Sequence, residues 1–357
     1  MLGKVFVMAG GGTGGHVIPS LAVAKELRSH GHEAFFVGTE KGVEARLVPA
    51  AGFELQLIRI GALKRVGAVQ RLATLAQLPL STWRMYGLLR KRKISAVFSM
   101  GGYAAGPVVM AALAARKPVV VMEPNAVPGF TNRRIGSLVT RALVTFPETS
   151  RYFPRGRTEV TGLPVRQEFF SLPSKQPEDV FSVFMTGGSQ GSRTLNRAAR
   201  ESWPLFRQAD FPIRFVLQTG QPEFEALLAA FSESKLHGEV KPFITDMPAA
   251  FAEADLVICR SGAGAVAELA AAGKPSVLVP FPFAADDHQL RNAQAFEGAG
   301  AARLVPDREL TGAKLFDLIT ALARDRQSLE RMGSAARQLA HPGAAARAAQ
   351  ILEEVAQ

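Results

Sequence analysis

A glycine-rich turn near the start of the chain is the first feature whose residue types and spacing could support chemistry. Gly10, Gly12 and Gly15 follow a short apolar run, and His16 stands directly after them. Glycines let a backbone approach a ligand closely, and the N–H groups at the start of a following helix attract anions. The spacing meets the dinucleotide-binding fingerprint, with Glu40 available for a ribose hydroxyl. This spacing is compatible with two classes of protein, a dinucleotide-dependent oxidoreductase and another enzyme that binds a phosphate or a sugar.

His16 adds an ionisable group to this turn. A nicotinamide pocket has no need of one there, whereas a reaction that activates a hydroxyl group needs a base with a pKa near neutral pH, as histidine has. His16 is therefore a candidate catalytic base. The alternative is a histidine that only caps the helix. We predict that this helix begins near Pro19, because the fixed φ of proline suits a first helical turn.

Two more glycine turns follow apolar runs further along the chain. One is Gly187-Gly188-Ser189-Gln190-Gly191, which adds a hydroxyl donor to the same anion-binding design. The other contains Gly101 and Gly102, followed by Tyr103. An oxidoreductase with a single cofactor has no use for the additional anion-binding turn at Gly187-Gly188-Ser189-Gln190-Gly191. Unless they only reverse the chain, three such turns predict more than one phosphorylated ligand, with one in each half.

Polar side chains in the second half suit a nucleotide sugar. Glu268 comes after a glycine-bearing turn, where its two oxygens could accept hydrogen bonds from the vicinal hydroxyls of a ribose. Gln289 and Asn292 lie in a polar segment, and amides both donate to and accept from sugar hydroxyls. The alternatives are a glutamate that stabilises the start of a helix and an ordinary solvated loop.

We expect no metal and no other cofactor. The chain has no Asp-x-Asp motif to hold Mg²⁺ or Mn²⁺ on a diphosphate, and the Cys and His spacings of a zinc site are absent. Helix ends and backbone N–H groups would then neutralise a leaving diphosphate. The single cysteine, Cys259, excludes a disulfide framework and suits a reducing compartment.

The positive charge of the chain is concentrated in one segment. The net charge is +11, and between Glu54 and Glu123 there is no Asp or Glu but there are eleven Lys and Arg residues. Such a segment suits an anionic membrane, a phosphorylated substrate or nucleic acid. Nucleic acid is disfavoured because the segment lacks interleaved aromatic side chains on which bases stack. No apolar run approaches the roughly 20 residues needed to cross a bilayer.

Within this acid-free segment, apolar residues and the charges beside them form a candidate membrane patch. The patch comprises Leu72, Leu75, Leu78, Trp83, Arg84, Arg90, Lys91, Arg92 and Lys93. Apolar bulk rimmed by Lys and Arg is typical of an interfacial anchor. Pro79 interrupts the segment, so we predict two short helices rather than one long one. The alternative is that the leucines belong to the core and the charges form a solvated face.

Short apolar runs alternate with longer amphipathic segments along the chain, which predicts parallel βαβ units. The expected strands are 4–9, 34–37, 55–58, 96–100, 118–122 and 142–145 in the first half, then 180–186, 213–219, 256–259, 276–279 and 302–305. A chain of 357 residues exceeds the size of one core. We therefore expect two doubly wound α/β domains around a cleft, with ligands beyond the carboxyl ends of the strands and a seam near Gly162-Leu163-Pro164.

Taken together, these motifs resemble those of the MurG family, the UDP-N-acetylglucosamine transferases that make lipid II of peptidoglycan. The resemblance extends over essentially the whole chain. It rests on Gly11-Gly12-Thr13-Gly14-Gly15-His16, Gly101-Gly102-Tyr103, Asn125, Thr131-Asn132, Pro164-Val165-Arg166, Gly187-Gly188-Ser189-Gln190-Gly191, Arg260-Ser261-Gly262-Ala263 and Gln289.

The resemblance implies a GT-B architecture of glycosyltransferase family 28, with two Rossmann-like doubly wound parallel-sheet domains facing a cleft. Residues 1–163 would bind the acceptor and the membrane, and residues 164–343 would bind UDP-GlcNAc. The final helix, within 344–357, would pack back on the first domain.

The resemblance also implies inverting transfer of GlcNAc from UDP-GlcNAc to the C4 hydroxyl of MurNAc in undecaprenyl-linked lipid I, at the cytoplasmic face of the bacterial inner membrane. The residues that would hold UDP-GlcNAc are Thr13, Gly14, Gly15, Asn125, Arg166, Ser189, Ile244, Ala263, Gly264, Ala265, Val266, Ala267, Glu268 and Gln289. Those that would meet the acceptor diphosphate are Gly14, Gly101, Gly102 and Tyr103. A transferase acting on another lipid, such as diacylglycerol, is the nearest alternative.

This chain departs from the family pattern at two places. The family often has Leu-Thr where this chain has Gly264-Ala265, and Gln where it has Pro124. Without the threonine hydroxyl, position 265 has no side-chain contact to offer a phosphate, although its backbone N–H remains.

Overall fold

The computed structural model describes residues 3–40, 42–58, 60, 68–102, 104–173, 175 and 179–356, and only the backbone of residues 68–76. The chain forms two compact units. One consists of Met1–Val165 and Gly343–Gln357, and the other of Arg166–Pro342.

The N-terminal unit is built on a parallel sheet. Within the described residues its strands are β1 (Val5–Ala9), β2 (Glu33–Gly38), β3 (Glu54–Leu57), β4 (Ala96–Ser99), β5 (Val119–Glu123), β6 (Arg141–Val144) and β7 (Thr158–Val160). The helices that connect them are α1 (Gly14–Ser29), α2 (Glu44–Ala50), α3 (Ala68–Lys91), α4 (Ala105–Ala114) and α5 (Phe130–Ile135).

The C-terminal unit repeats this plan. Its described strands, again all parallel, are β8 (Phe181–Thr186), β9 (Ile213–Gln218), β10 (His237–Lys241), β11 (Leu256–Cys259), β12 (Ser276–Leu278) and β13 (Ala302–Leu304). Its helices are α6 (Arg193–Gln208), α7 (Phe224–Ser234), α8 (Met247–Glu253), α9 (Ala263–Ala272), α10 (His288–Gly298), α11 (Gly312–Arg324) and α12 (Arg326–Gln338).

In each sheet the strand order reverses between the first and the fourth strand of its unit. The orders are β3-β2-β1-β4-β5-β6-β7 and β10-β9-β8-β11-β12-β13, so β1 lies beside β4 and β8 lies beside β11. Chains leaving two such neighbouring strands turn to opposite faces of the sheet, which opens a crevice at the carboxyl ends. The predicted pair of doubly wound sheets is confirmed.

The strands that the sequence did not reveal are β7 and β10. Each lies at an edge of its sheet, and their sequences, Thr158–Val160 and His237–Lys241, are largely polar. Central strands such as β5 and β8 are buried along their whole length and appear as continuous apolar runs. An edge strand has a neighbour on one side only and can remain partly solvated, so it lacks this signal.

The segment around Pro79 is one helix, α3, and not the two short helices predicted. A proline inside a helix removes one hydrogen bond and crowds the preceding turn, which kinks a helix or ends it. Beyond the proline, Ser81, Met85 and Leu89 are buried at helical spacing where α3 packs on α4. This packing supports the helix on the far side of the proline.

The helix after the first glycine turn begins earlier than predicted. α1 starts at Gly14, with Thr13 as its extended N-cap, and Pro19 lies in its second turn. The N–H of Val17 already donates to the carbonyl of Thr13, at 3.2 Å. The glycine run itself therefore provides the first helical turn.

The last helix, α13 (Ala344–Val355), belongs to the N-terminal unit and packs on α1. The carboxylate of Glu353 contacts Nδ1 of His30 at 2.6 Å and Nε2 of His32 at 3.3 Å. The guanidinium of Arg347 donates to both carboxylate oxygens of Glu159 in β7, at 2.6 and 2.8 Å. The helix thus contacts the unit through polar pairs as well as through its buried side.

Candidate active site

In the C-terminal unit, a tight turn follows β8. Gly191 has φ +74°, and a Cβ there would lie 1.8 Å from the carbonyl oxygen of Thr219, so only glycine fits. α6 begins immediately afterwards, with the Ser192 hydroxyl accepting a hydrogen bond from the N–H of Leu195 at 3.3 Å. The turn, whose tip includes the exposed Ser189, and the start of α6 together present backbone N–H groups that suit an anion.

Gln218 holds this turn in place, a role that the sequence analysis missed. Its buried amide nitrogen donates to the Thr186 hydroxyl at 3.1 Å and to the Gly188 carbonyl at 2.9 Å. Its amide oxygen accepts from the N–H of Ile244 at 2.8 Å. One side chain thus joins the glycine turn to a predicted donor-binding residue. A polar residue ending the apolar run of β9 was the available signal.

The neighbouring strand, β11, leads into α9, which carries Glu268 on its second turn. The Glu268 carboxylate lies 3.7 Å from the guanidinium of Arg166, which also stacks over the Phe169 ring at 4.9 Å. Burial raises the pKa of Glu268 to about 7, against the opposing effect of Arg166. Both side chains keep some exposure, 28% for Glu268 and 39% for Arg166, so a ligand can reach them.

Two predicted ligand-facing side chains point into the protein instead. Val266 on α9 is fully buried in the core, so only its backbone could meet a ligand. Asn292 is also fully buried, and its amide donates to the carbonyl of Ser261 at 3.1 Å. The hydroxyl of Ser261 in turn donates to the Gln289 carbonyl at 2.8 Å. Asn292 therefore positions the turn after β11, while the partly exposed Gln289 accepts from the N–H of Phe281 at 3.0 Å.

Arg260 is a second positioning residue that was not predicted. Its guanidinium donates to Asp307 at 2.5 Å, to the Ser192 hydroxyl at 2.7 Å and to the carbonyls of Val279 and Pro280 at 3.1 Å. These partners lie in the segments that follow β8, β12 and β13, so one side chain connects the loops at the carboxyl edge of the sheet. Its appearance in the Arg260-Ser261-Gly262-Ala263 motif was the signal.

In the N-terminal unit, Glu44 anchors the first glycine turn. Its buried carboxylate accepts from the N–H of Gly12 at 2.8 Å and from the N–H and hydroxyl of Thr39 at 2.9 Å. Burial alone raises the pKa of Glu44, but these hydrogen bonds hold it below its ordinary value. Glu40, considered above for a ribose, is exposed.

His16 is the third residue of α1, and its hydrogen bonding favours one tautomer. Nδ1 lies 3.2 Å from the carbonyl oxygen of Gly11. Because a carbonyl only accepts, Nδ1 carries the proton of the neutral ring, and Nε2 is the nitrogen that can take a proton. A Cβ on Gly102 would lie 3.6 Å from the His16 ring. The glycine turn after β1 and the glycine turn after β4 therefore meet at this histidine.

The turn after β4 is held by α5. Gly101 has φ +79°, and a Cβ there would come within 2.9 Å of the Asn132 amide oxygen. The Thr131 hydroxyl donates to the Gly102 carbonyl at 3.1 Å, and Asn132 donates to Glu123, the last residue of β5, at 2.9 Å. Tyr103 lies outside the described residues.

Glu123 links this turn to Asn125. The Glu123 carboxylate accepts from the Asn125 backbone at 3.0 Å and from its side-chain amide at 3.2 Å. Burial raises the pKa of Glu123, although its hydrogen bonds oppose the shift. Of the predicted donor-binding residues, Thr13, Gly14, Gly15 and Asn125 thus belong to the N-terminal unit, and the other ten belong to the C-terminal unit.

The candidate membrane patch is only partly exposed. Trp83 is 72% exposed and Leu80, which was not predicted, is 50% exposed, whereas Leu78 is half-buried. The side chains of Leu72 and Leu75 lie outside the described residues. Arg84, Arg90, Lys91 and Lys93 are exposed.

Arg92 differs from the other basic residues of the patch. Its guanidinium donates to Glu33 at 2.5 Å and to Glu54 at 2.9 Å, at the starts of β2 and β3. Its charge is therefore already paired within the sheet edge.

In the described part of the chain, no group of three or more His, Cys, Asp or Glu side chains is arranged to hold a metal ion. Among the same residues, no helix combines the length and the apolar character that a bilayer-spanning helix requires.

Comparison with known proteins decides the enzyme class. Residues 6–144 match the glycosyltransferase family 28 N-terminal domain, and residues 182–351 match the glycosyltransferase family 28 C-terminal domain. The chain belongs to glycosyltransferase family 28. An oxidoreductase, which the first glycine turn had left open, is therefore the wrong class.

Full-length relatives narrow the family further. The chain is 66% identical to a protein of Solibacter usitatus (strain Ellin6076) named UDP-N-acetylglucosamine–N-acetylmuramyl-(pentapeptide) pyrophosphoryl-undecaprenol N-acetylglucosamine transferase, over 98% of this chain and 96% of the relative. A protein of the same name from Myxococcus xanthus (strain DK1622) is 40% identical, over 97% and 91% of the two chains. The crystal structure of Acinetobacter baumannii MurG superposes with a TM-score of 0.82 at 34% identity, covering 98% of this family 28 chain and 99% of the other. The predicted resemblance to the MurG family is confirmed.

Proposed function

We propose that this family 28 transferase moves GlcNAc from UDP-GlcNAc to the C4 hydroxyl of MurNAc in undecaprenyl-diphosphate-linked lipid I, with inversion, giving lipid II for peptidoglycan synthesis. The observation that carries the proposal is the 66% identity, over 98% of the chain, to a transferase named for this donor and this acceptor. The arrangement of the two switch points supports it, because each carries a glycine turn at the carboxyl edge of its sheet.

The C-terminal unit would bind the donor. Backbone N–H groups of the turn after β8 and the start of α6 would receive the diphosphate of UDP, in place of a metal ion. Glu268 would accept hydrogen bonds from the ribose hydroxyls, and Arg166, 3.7 Å away, would add positive charge beside the nucleotide. Gln289, Ile244 and the first turns of α9 complete the donor contacts that we propose for this unit, and Thr13, Gly14, Gly15 and Asn125 remain the proposed donor contacts of the N-terminal unit.

The N-terminal unit would bind the acceptor. Gly14, Gly101, Gly102 and Tyr103 would meet its diphosphate, and His16 would act as the base. Nε2 would take the proton of the C4 hydroxyl as the new bond forms between that oxygen and C1 of GlcNAc. The bond from C1 to the β-phosphate oxygen breaks on the opposite face, and UDP leaves with the electron pair. Hydroxyl activation of this kind contributes about 10²–10⁴-fold to a rate.

We further propose that the enzyme works at the cytoplasmic face of the bacterial inner membrane as a peripheral protein. The acceptor carries a long lipid and stays in the bilayer, so the enzyme must come to that surface. The exposed Leu80 and Trp83 on α3, with Arg84, Arg90, Lys91 and Lys93 nearby, supply the apolar and cationic groups that an anionic leaflet attracts.

A direct assay tests the reaction. Purified protein, labelled UDP-GlcNAc and a short-chain lipid I analogue should yield a labelled disaccharide product, with EDTA present or absent. Diacylglycerol in place of the analogue should yield none. Glu268→Ala should raise the KM for UDP-GlcNAc strongly, since a hydrogen bond to a charged group contributes about 1.5–3 kcal/mol. Exposed Glu40→Ala is the matched control.

Three outcomes count against the proposal in distinct ways. If only diacylglycerol yields product, the proposed acceptor is wrong. If EDTA abolishes activity and Mg²⁺ restores it, the proposal that the diphosphate is bound without a metal ion is wrong. An unchanged KM in Glu268→Ala would remove the ribose contact.

A further inference from the structure

An open cavity of about 580 Å³ lies in the C-terminal unit, at the amino ends of its strands. Of its lining residues, Asp255 directly precedes β11, and Lys274 and Pro275 directly precede β12. The proposed donor site follows the carboxyl ends of the same strands. α9 runs from one to the other, since its first turns carry donor contacts and its last residue, Ala272, lines the cavity. The volume lies within the roughly 300–1,000 Å³ of small-molecule sites.

The lining combines apolar and charged side chains. The larger apolar ones are Leu172, Pro173, Pro275 and Leu329. The charged ones are Lys175, Lys274, Arg326, Arg337, Asp255 and Glu330, so four cations face two carboxylates.

Asp255 neutralises only part of this positive charge. Its carboxylate lies 2.6 Å from Nζ of Lys175 and 3.6 Å from the guanidinium of Arg326. Neither Lys274 nor Arg337 forms an ion pair with a carboxylate among the residues that the structure describes. Two of the cations therefore line the cavity without a carboxylate partner.

Lys274 is the buried cation of the cavity. It is 9% exposed, and Nζ donates to the carbonyls of Ala252 at 3.1 Å and Ala254 at 2.7 Å. Because a lysine ammonium group has three N–H donors, one donor remains for a ligand. The partners in the protein are neutral, so they do not compensate the charge.

The electrostatics around Lys274 favour the entry of an anion. Burial lowers the pKa of Lys274 to about 8, and the charges of Lys175 and Arg337 act in the same direction, while Asp255 opposes the shift. A further negative charge beside Nζ would stabilise the ammonium form.

Arg337 lies against the end of α9. Its guanidinium donates to the carbonyls of Ala272 at 2.9 Å and Phe170 at 3.4 Å. Gly273, with φ +61°, makes this approach possible, because a Cβ there would lie 2.7 Å from Nε of Arg337. These partners too are neutral, so the charge of Arg337 adds to that of Lys274.

We propose that this cavity binds a small organic anion, whose charged group pairs with Lys274 and Arg337 and whose apolar part contacts Leu172 and Leu329. Lys and Arg side chains form charge-assisted hydrogen bonds with the oxygens of carboxylate and phosphate groups. A cation removed from water without a partner is costly, so a bound anion stabilises this region. The apolar side chains favour an anion with an apolar group over an inorganic ion, because both surfaces then leave water.

A fluorescence titration tests the proposal with two probes that differ by one charge. Anilinonaphthalene sulfonate carries an anionic group beside apolar rings, and phenylnaphthylamine has the same rings without the sulfonate. Saturating UDP is present throughout to fill the proposed donor site. Thermal unfolding checks that each variant is folded under the conditions of the titration.

Arg326→Gln and the matched control Arg324→Gln locate the site. Both arginines are exposed and lie close together in the chain, but only Arg326 lines the cavity. Arg326→Gln should weaken binding of the sulfonate by about two- to fivefold, the contribution of a partly exposed ion pair, and should leave phenylnaphthylamine unaffected. Arg324→Gln should bind both probes like the parent.

Lys274→Met tests the buried cation. It should weaken sulfonate binding by about tenfold or more, because a hydrogen bond to a charged group contributes more when it is buried. In the parent, sulfonate binding should weaken as the pH rises from about 7 to 9 and Lys274 loses its proton, whereas Lys274→Met should lack this dependence. Glu330→Gln, which removes a carboxylate from the lining, should tighten binding by about twofold.

Equal binding of the sulfonate by the parent, Arg326→Gln and Lys274→Met would overturn the proposal. An equal loss of both probes would also overturn it, because the variants would then disturb the fold rather than a contact to an anion. If Lys274→Met does not fold, Arg326→Gln decides the result. Turnover plays no part in these readouts, so they are independent of the proposed reaction.

Discussion

At the scale of single residues, Glu268 connects structure to pH dependence. Burial raises the pKa of its carboxyl group to about 7, while Arg166 opposes the shift. The ionised form is the one that accepts two hydrogen bonds from a ribose. A raised pKa also means that ionisation disfavours the fold, so this group's contribution to the stability of the ligand-free protein declines as the pH rises from 4.5, the ordinary value, to about 7.

We therefore expect the KM for UDP-GlcNAc to rise as the pH falls below about 7 and to level off above about 8, because protonation removes the acceptor. Steady-state kinetics at several pH values measure this. In Glu268→Gln the KM should stay near the high value that the parent reaches at low pH and should lose this dependence. A parent KM that stays flat from about pH 6 to 8 would contradict the assignment.

His16 gives a second test at this scale. If His16 is the base, kcat should be about 10²–10⁴-fold lower in His16→Ala than in the parent. His16→Asn keeps an amide that can donate to the Gly11 carbonyl, so it should restore stability but not kcat. Single-turnover rates and thermal unfolding separate the two effects. If His16→Asn turns over like the parent, His16 only caps the helix.

Gln218 tests whether a positioning residue matters to the donor site. Gln218→Ala leaves the Gly188 carbonyl and the Ile244 N–H without their partner, which should lower the free energy of unfolding by about 1–3 kcal/mol and raise the KM for UDP-GlcNAc. Urea unfolding and kinetics measure both. The exposed Gln208, at the end of α6, provides Gln208→Ala as a control. A stability loss with an unchanged KM would limit Gln218 to folding.

At the scale of elements, α3 presents two different sides. Ser81, Met85 and Leu89 are buried on the helix, which packs on α4, whereas Leu80, Trp83 and Arg84 are exposed one or two residues away. Helical periodicity separates these sets, since residues three and four apart share a face. The hypotheses of a membrane anchor and of a buried helix thus concerned different faces of one helix.

This division predicts the effect of removing Trp83. Trp83→Ser should weaken binding to phosphatidylglycerol vesicles by at least about tenfold, because burying a large apolar side chain contributes about 1.5–3 kcal/mol. Phe243 in the C-terminal unit is also exposed, at 57%, so Phe243→Ser is the control. Co-sedimentation at low and high salt provides the measurement. Equal retention of the two variants would argue that α3 does not touch the membrane.

At the scale of the whole molecule, the chain returns to its first unit at its end. α13 buries Ala348, Ile351 and Leu352 in the N-terminal unit and pairs Arg347 with Glu159 on its surface. These contacts lie more than a hundred residues apart in the sequence. The N-terminal unit is therefore complete only after the C-terminal unit has been synthesised.

The apolar packing of α13 and its ion pair with Glu159 should contribute different amounts to the free energy of unfolding. Ile351→Ala should destabilise the N-terminal unit by about 2–5 kcal/mol, because it leaves a cavity in the core. Arg347→Ala removes a partly exposed ion pair and should change stability by only about 0–1 kcal/mol. Urea unfolding followed by a probe in each unit measures both. A larger loss in Arg347→Ala than in Ile351→Ala would show that the ion pair, not apolar packing, holds α13.

The features of this protein that depend on local chemistry could be predicted from the amino-acid sequence. Continuous apolar runs identified the central strands, since parallel strands are buried on both faces. Glycines marked the turns, because a position such as Gly191 has no room for a Cβ. The motifs spread along the chain were enough to indicate the family.

Edge strands and side-chain contacts between distant parts of the chain could not be predicted without the three-dimensional structure. Edge strands β7 and β10 became strands through pairing with β6 and β9. Gln218, Glu44 and Arg260 acquired their roles because strand order brings together loops that lie 26, 32 and 68 residues apart in the chain. Hydrogen bonds and charge clusters of this kind depend on distances in space, and a pattern of residue types along a chain does not contain those distances.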